Sequence, residues 1–326
     1  MPPDPLDASA FAVRRDGDDP GPLAGAIVAI GNFDGVHRGH KALLAAAGQA
    51  ARTAGRPAAV LTFEPHPRSY FRPNVPLFRL TPEAEKLLAL ERLGLDGAFV
   101  RRFDAGLAGL TAEAFVDQLL VTGMQASGVV VGHDFRFGRD RAGTVERLAD
   151  LCAARGLSCA VLPAVLDGAE PVSSSRIRAA LTAGDVAEAN GLLGHRWFVT
   201  GEVRHGDKRG RTLGYPTANQ RLPETCDLRH GIYAVRVRLA DGSLRAGVAS
   251  FGRRPTFDDG APRLETFLFD FAGDLYGQDL AVEFAAFIRG EERFDSAEAL
   301  IARMDEDSRQ AREILAGDNA PSLLAS

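Results

Sequence analysis

The feature that most constrains this 326-residue chain is a change of pattern near its middle. From Gly25 to about Leu181, short apolar runs alternate with helical segments. After about Gly194, strand-like runs follow one another with few helices between them. In the first stretch the pattern predicts strands over 26–30, 58–63, 98–103, 129–131 and 158–162, and helices over 41–54, 82–93, 112–121 and 145–155. Thr81 before Pro82, with Glu85 nearby, reads as a helix start, and so does Thr144 before Val145. Repeated strand–helix units imply an α/β domain with a parallel sheet and helices on both faces, whose ligands collect at the carboxyl ends of the strands.

The second stretch predicts strands over 197–203, 232–239, 244–250, 264–271 and 280–287. Alternation is clearest from Ile232 to Leu239, and Asp241-Gly242 supplies a hairpin turn. This is the pattern of a small antiparallel β-barrel or sandwich. A helix over 296–315, opened by Asp295 with Glu298 three residues on, should close it, with Leu300, Met304, Ala311 and Ile314 facing the barrel. The expected division is a mobile N-terminal tail over 1–24, an α/β domain over 25–185, a linker over 186–195 within a small and polar junction, a barrel domain over 196–316 and a C-terminal tail over 317–326.

A formal charge of −5 excludes a general nucleic-acid coat, so any phosphate binding should be local. Cys152, Cys159 and Cys226 lack metal-ligand spacing and read as structural residues of a reducing compartment. The first 25 residues are rich in Pro, Asp and Gly without an apolar segment, which is not the pattern of a secretory signal. No apolar run approaches the roughly 20 residues of a membrane helix. The expected location is the cytoplasm, with neither nucleic acid nor membrane as partner.

The candidate chemistry begins with GNFDGVHRGH, Gly31 to His40, between a predicted buried strand and a predicted helix. Free backbone N–H groups and the helix dipole favour an anion at such a turn, and a phosphate is the first candidate. Gly35 and Gly39 leave room for close backbone approach, and His37 and His40 lie three apart on one face of the first helical turn. A plain helix start with two exposed histidines and a zinc pair are the alternatives, although no third ligand follows at suitable spacing. Three further segments join at strand ends or a helix start: TFEPHP with His66; VGHDFRFG with Asp134, Phe135 and Phe137; and VSSSRIR with Ser174 and Arg176. A serine run before a helix is also an ordinary cap.

Taken together and in this order, GNFDGVHRGH, TFEPHP, VGHDFRFG and VSSSRIR resemble the FMN adenylyltransferase module of bacterial bifunctional riboflavin kinase/FAD synthetases. The resemblance implies a Rossmann-like nucleotidyltransferase domain in which the FMN phosphate attacks the α-phosphate of ATP, giving FAD and pyrophosphate without a covalent enzyme intermediate. It also implies that Asn32, Phe33, His37, His40, His66, Ser174 and Arg176 bind ATP, with His37 and His40 catalytic. Asp134, Phe135 and Phe137 would place the flavin.

A second constellation follows residue 200. Gly206, Lys208, Gly210 and Arg211 belong to a basic, glycine-rich stretch that precedes TLGYPTAN. It reads as a loop laid over the phosphates of ATP, with Thr217 and Asn219 as oxygen ligands for Mg²⁺. A solvated loop and a nucleic-acid patch are the alternatives. GRRPT, LETFLFDF and DLYG complete a pattern that resembles the riboflavin kinase module of the same family. That likeness implies transfer of the ATP γ-phosphate to riboflavin, giving FMN and ADP. Glu265 would be the catalytic base, and Arg253, Pro255 and Thr256 would be flavin contacts. Val248-Ala249-Ser250-Phe251-Gly252 stands where that family usually has a VANIG-like run. Two further readings remain at this point: a barrel that binds flavin as a sensor, and an adenylyltransferase for a phosphorylated pantetheine or nicotinamide compound.

Overall fold

The computed structural model describes residues 11–206, 214–253 and 262–324. The chain divides into two compact units, Met1–Leu77 with Pro82–Val172, and Phe78–Thr81 with Ser173–Ser326.

In the first unit, β1 (Ala12–Arg14), β2 (Ile27–Ile30), β3 (Ala58–Glu64), β4 (Gly97–Arg102), β5 (Gly128–Gly132) and β6 (Ser158–Leu162) form one sheet. Their order is β1-β4-β3-β2-β5-β6, and every pairing is parallel. All four residues of β2 and the first six of β3 are buried, as expected of strands covered on both faces. The helices are α1 (Arg38–Ala54), α2 (Pro67–Phe71), α3 (Glu83–Arg92), the single turns α4 (Ala105–Ala108) and α5 (Ala112–Ala114), and α6 (Val145–Ala153). A short hairpin, β7 (Leu166–Asp167) with β8 (Glu170–Pro171), follows the sheet. Helix α1 buries Leu43, Leu44, Ala47 and Ala51 and stops at Gly55, whose φ of 61° is the left-handed cap position that glycine takes most easily.

Three local expectations change here. The tail expected over 1–24 is, in its described part, an edge strand: β1 pairs with β4, and Leu23 is buried in the core. Three strand residues are too few for alternation to register in the sequence. The α-helix expected over 112–121 becomes π-helical from Phe115 to Gly123, where Phe115 and Leu120, five apart, are both buried. Helix α3 begins at Glu83 with Pro82 in the cap position, one residue inside the start expected at Pro82. Thr144 does open α6, its hydroxyl accepting from the Arg147 N–H at 3.2 Å.

The second unit starts with α7 (Ser174–Ala183) and α8 (Val186–Leu193). The linker expected over 186–195 is therefore mostly α8, which buries Val186, Ala189, Leu192 and Leu193. Its polar appearance came in part from Asn190, which is buried because its amide donates to the Phe284 carbonyl (2.9 Å) and accepts from the Trp197 N–H (2.8 Å). Next come β9 (Phe198–Glu202), β10 (Ala218–Arg221), β11 (Gly231–Arg238), β12 (Leu244–Gly252), β13 (Arg263–Leu268), β14 (Asp279–Arg289) and α9 (Ala297–Gly317). The strands form an antiparallel sheet in the order β10-β13-β12-β11-β14-β9. Its two ends approach each other: Arg204 bridges to Asn219, and the Gln220 amide donates to the Gly201 and Leu280 carbonyls at 2.7 and 2.9 Å. The result is a nearly closed barrel.

Helix α9 lays Ala311 and Leu315, with Ile314 beside them, on Ala234, Val248 and Phe269. Its cap is Ser296, which accepts from the Ala299 N–H at 3.1 Å, and not Asp295 as expected. The tail expected over 317–326 is also built into the unit in its described part. Asp318 pairs with Arg196 at 2.7 Å, the Pro321 carbonyl accepts from the Arg196 N–H, and Leu324 is buried.

Candidate active sites

The strand order of the first sheet reverses at β2: β3 and β4 lie to one side and β5 and β6 to the other. The crevice at the carboxyl ends of β2 and β5 is where open α/β sheets hold their ligands. GNFDGVHRGH leaves β2 and VGHDFRFG leaves β5, so the two most distinctive motifs of this half flank that crevice.

The turn after β2 is conformationally strained. Phe33 and Val36 have φ of 51° and 43°, which is unfavourable for any side chain and most of all for β-branched valine. Phe33, Asp34 and Val36 are buried. His37 caps α1: its Nδ1 accepts from the His40 N–H at 3.3 Å, so the neutral ring carries its proton on Nε2. The His37 and His40 rings stack at 3.6 Å between centroids, and Phe33 meets His40 edge-on at 5.3 Å. His40 Nδ1 is buried with no hydrogen-bond partner among the described residues. Burial, followed by the neighbouring His37 and Lys86, pushes the His40 imidazole well below its ordinary pKa and keeps it neutral. Burial also lowers the Lys41 ammonium to about 8. A Cβ on Gly39 would sit 3.1 Å from the His37 ring, so the small residue permits the close approach.

His66 caps α2 just beyond β3, its Nδ1 accepting from the Arg68 N–H at 3.0 Å. After β5, Asp134 is exposed and Phe135 is half-buried, stacked on Phe137 at 5.6 Å with 11° between the planes. Phe137 is itself in the core against Phe115, so of the two rings only Phe135 keeps a substantial open surface. Asn32 is half-buried, and its carbonyl accepts from the Thr62 hydroxyl and the Lys86 ammonium. Ser174 and Arg176 begin α7 in the second unit. The cap there is Ser173, which accepts from the Arg176 N–H at 3.4 Å, and Arg176 pairs with Glu188 at 2.6 Å.

In the barrel, register brings together residues 46 apart in sequence. Asn219 of β10 lies directly opposite Glu265 of β13, and Ser250 of β12 lies opposite Glu265 on its other side. The Asn219 amide donates to the Thr217 carbonyl (3.1 Å) and hydroxyl (3.3 Å), which leaves its Oδ1 for other partners. The chain at Arg204–Gly206 lies against the same strand: the Arg204 N–H donates to the Asn219 carbonyl, and a Cβ on Gly206 would come within 2.6 Å of Asn219 Oδ1. Arg253 donates to the carbonyls of Glu224 (2.6 Å) and Cys226 (3.3 Å). Phe251 is fully buried in the barrel. Lys208, Gly210, Arg211, Pro255 and Thr256 lie outside the described residues. Lys86 was not singled out by the sequence; a lysine inside a helical pattern gives no sign that it points inward.

Cys152 and Cys226 are buried and Cys159 is half-buried, which suits the structural reading. Among the described residues no group of three or more His, Cys, Asp or Glu side chains could hold a metal, and no helix is long and apolar enough to cross a membrane.

The two halves thus carry separate constellations: a His-x-Gly-His turn at the strand reversal of the parallel sheet, and Asn219 opposite Glu265 in the antiparallel barrel. Comparison with known proteins agrees. The FAD synthetase family matches residues 20–176, and the riboflavin kinase family matches residues 193–315. The bifunctional riboflavin kinase/FMN adenylyltransferase of Escherichia coli (strain K12) is 39% identical over 292 residues, covering 90% of this chain and 93% of that protein. The Pseudomonas fluorescens protein of the same name is 41% identical over 294 residues, with 90% and 94% covered. A crystal structure described as a macrolide-efflux protein from Streptococcus pneumoniae superposes with a TM-score of 0.79 at 34% identity, covering 89% of this chain and 94% of that one. The chain belongs to the bifunctional riboflavin kinase/FMN adenylyltransferase family, with an FAD synthetase domain followed by a riboflavin kinase domain.

Proposed function

We propose that the two candidate sites divide the family's two reactions between them, and that the residues named above carry each one. In the first unit, an oxygen of the FMN phosphate attacks the α-phosphorus of ATP; the bond to the β-phosphate breaks, and FAD and pyrophosphate leave. The amides at the start of α1, the His37 Nε2–H and the neutral His40 ring line the triphosphate. His66 binds the same nucleotide. Asp134 and Phe135 receive the flavin, with Phe137 as the support beneath Phe135. A neutral imidazole donates a hydrogen bond without requiring a buried cation, and fixed donors around a developing charge supply much of the rate. The observation that carries this reading is the placement of the two motifs on either side of the sheet's strand reversal.

In the barrel, the Glu265 carboxylate accepts the proton of the riboflavin ribityl hydroxyl as that oxygen takes the γ-phosphoryl of ATP, leaving ADP and FMN. The stretch from Gly206 through Lys208, Gly210 and Arg211 covers the ATP phosphates. Arg253, Pro255 and Thr256 contact the flavin. Hydroxyl and amide oxygens at Thr217 and Asn219 are hard donors that suit Mg²⁺, an ion that takes few protein ligands and keeps its waters and substrate phosphates. When bound, that ion would neutralise phosphate charge. The opposed register of Asn219 and Glu265 supports the assignment. The cytoplasm, where ATP and reduced cysteines coexist, is the proposed location.

The test is an end-point reaction of purified protein with riboflavin, ATP and Mg²⁺, with FMN and FAD separated by chromatography, beside a reaction started from FMN. FAD in both, with FMN as an intermediate in the first, is expected. FAD only from added FMN would remove the kinase assignment and leave a barrel that binds flavin without phosphorylating it.

A further inference from the structure

Lys86 of α3 is fully buried, a rare state for a lysine unless its ammonium is matched by acceptors. Here it is matched. Nζ lies 2.7 Å from Glu64 Oε1, 3.0 Å from the Thr62 hydroxyl and 3.4 Å from the Asn32 carbonyl, so three donors face three oxygens. The Thr62 hydroxyl reaches the same Asn32 carbonyl at 3.2 Å. Two of these oxygens sit at the end of β3, where TFEPHP begins, and the third sits at the second residue of GNFDGVHRGH. Two separate motifs of the candidate site therefore meet on one ammonium. The turn that it grips contains the strained Phe33 and Val36, and such backbone persists only where its surroundings over-determine it.

We propose that Lys86 is a positioning residue for adenylyl transfer: its ammonium holds the Asn32 carbonyl, and with it the turn through His40, against the end of β3. This rests on the adenylyltransferase reading of the first unit. The groups that act on the His40 ring are His37 from its own helix and Lys86 from α3, with Phe33 edge-on, so removing Lys86 also changes the electrostatics of that ring.

Lys86→Met keeps the length of the side chain and removes the charge. Lys86→Met with Glu64→Gln also removes the carboxylate that the first change strands. Three readouts apply: kcat and KM(ATP) for FAD formation from FMN, kinase turnover in the same chain, and the His40 ring titration by NMR without substrate. In both variants kcat for adenylyl transfer should fall on the order of 10²-fold, the scale of a misplaced reacting geometry, with a smaller change in KM. Kinase turnover should hold, the dispersed amide spectrum of the first unit recorded with the titration should show that it is folded, and the His40 titration should rise towards its ordinary range. Wild-type kcat in the double variant would overturn the proposal, even if the single variant were inactive through its stranded carboxylate. If the unaltered protein makes no FAD from FMN, the adenylyltransferase reading itself fails. An unmoved His40 titration would then separately remove Lys86 from any hold on the turn.

Discussion

In the parallel sheet, the polar groups of the candidate site hang from a turn; in the barrel, they project from strands already paired. The two backbones solve the placement problem differently. Ten consecutive residues after β2 carry two stacked imidazoles and the helix-start amides, at the cost of positive φ at Phe33 and Val36. The barrel uses no such strain at Asn219 or Glu265; the antiparallel ladder sets them opposite each other. A turn concentrates dipoles and places them through local conformation, so it depends on what braces it from below, here Lys86 and the end of β3. A ladder places side chains through hydrogen bonds that the sheet makes in any case, and it depends on register. One residue of slip between β10 and β13 would turn Glu265 to the other face.

That contrast can be broken most sharply by exchanging single groups. Glu265→Gln should abolish riboflavin phosphorylation by roughly 10²–10³-fold while FAD formation from FMN continues, since the change keeps the shape and removes only the base. Joint loss of both activities in folded protein would refute a division into two sites. His40→Ala should do the reverse, lowering FAD formation on the order of 10²-fold with kinase turnover intact; an unchanged rate of FAD synthesis would take His40 out of the mechanism. Gly206→Ala should reduce kinase turnover by about tenfold, because its Cβ would collide with the Asn219 amide and displace an oriented group. Wild-type kinetics there would show that the loop yields without disturbing Asn219.

The smallest effect concerns pH. His40 is held neutral in the fold, below its ordinary value of about 6.5. As pH falls through that value the unfolded chain binds a proton that the folded chain refuses, so stability should decline from about pH 7 downward and level off below the folded pKa. Denaturant midpoints from pH 7 to pH 5 should show a slope that His40→Ala reduces. An identical slope in that variant would assign the effect elsewhere.

How far each region was legible follows from the same contrast. The turn site could be read because its groups are contiguous and its flanks, a fully buried strand and an amphipathic α1, have strong periodicity. The ten strands that the pattern predicted fall within a few residues of expectation for the same reason. β10 could not be read, because beside Ala218 its second buried residue is Gln220, an amide that satisfies two carbonyls in the barrel seam, so a polar residue stands where alternation calls for an apolar one. Asn190 hid α8 in the same way. The opposition of Asn219 and Glu265 is a matter of register, which no local pattern carries, and family resemblance alone joined them beforehand. Lys86 was missed because its partners belong to β3 and to the turn after β2, elements distant in sequence.

The short strand β1 has a consequence for the behaviour of the protein in solution. It lies along β4, where Ala98, Phe99 and Val100 are buried, and it is secured from both directions: the Arg101 guanidinium donates to the Arg15 carbonyl, and the Arg102 N–H donates to Asp16 at 2.8 Å. Without those few residues, β4 would present an apolar row with unpaired backbone groups, the template on which separate molecules join edge to edge. β1 and the charged stretch that follows it, Arg15 to Asp19, thus close that edge of the sheet with paired backbone and solvated charge.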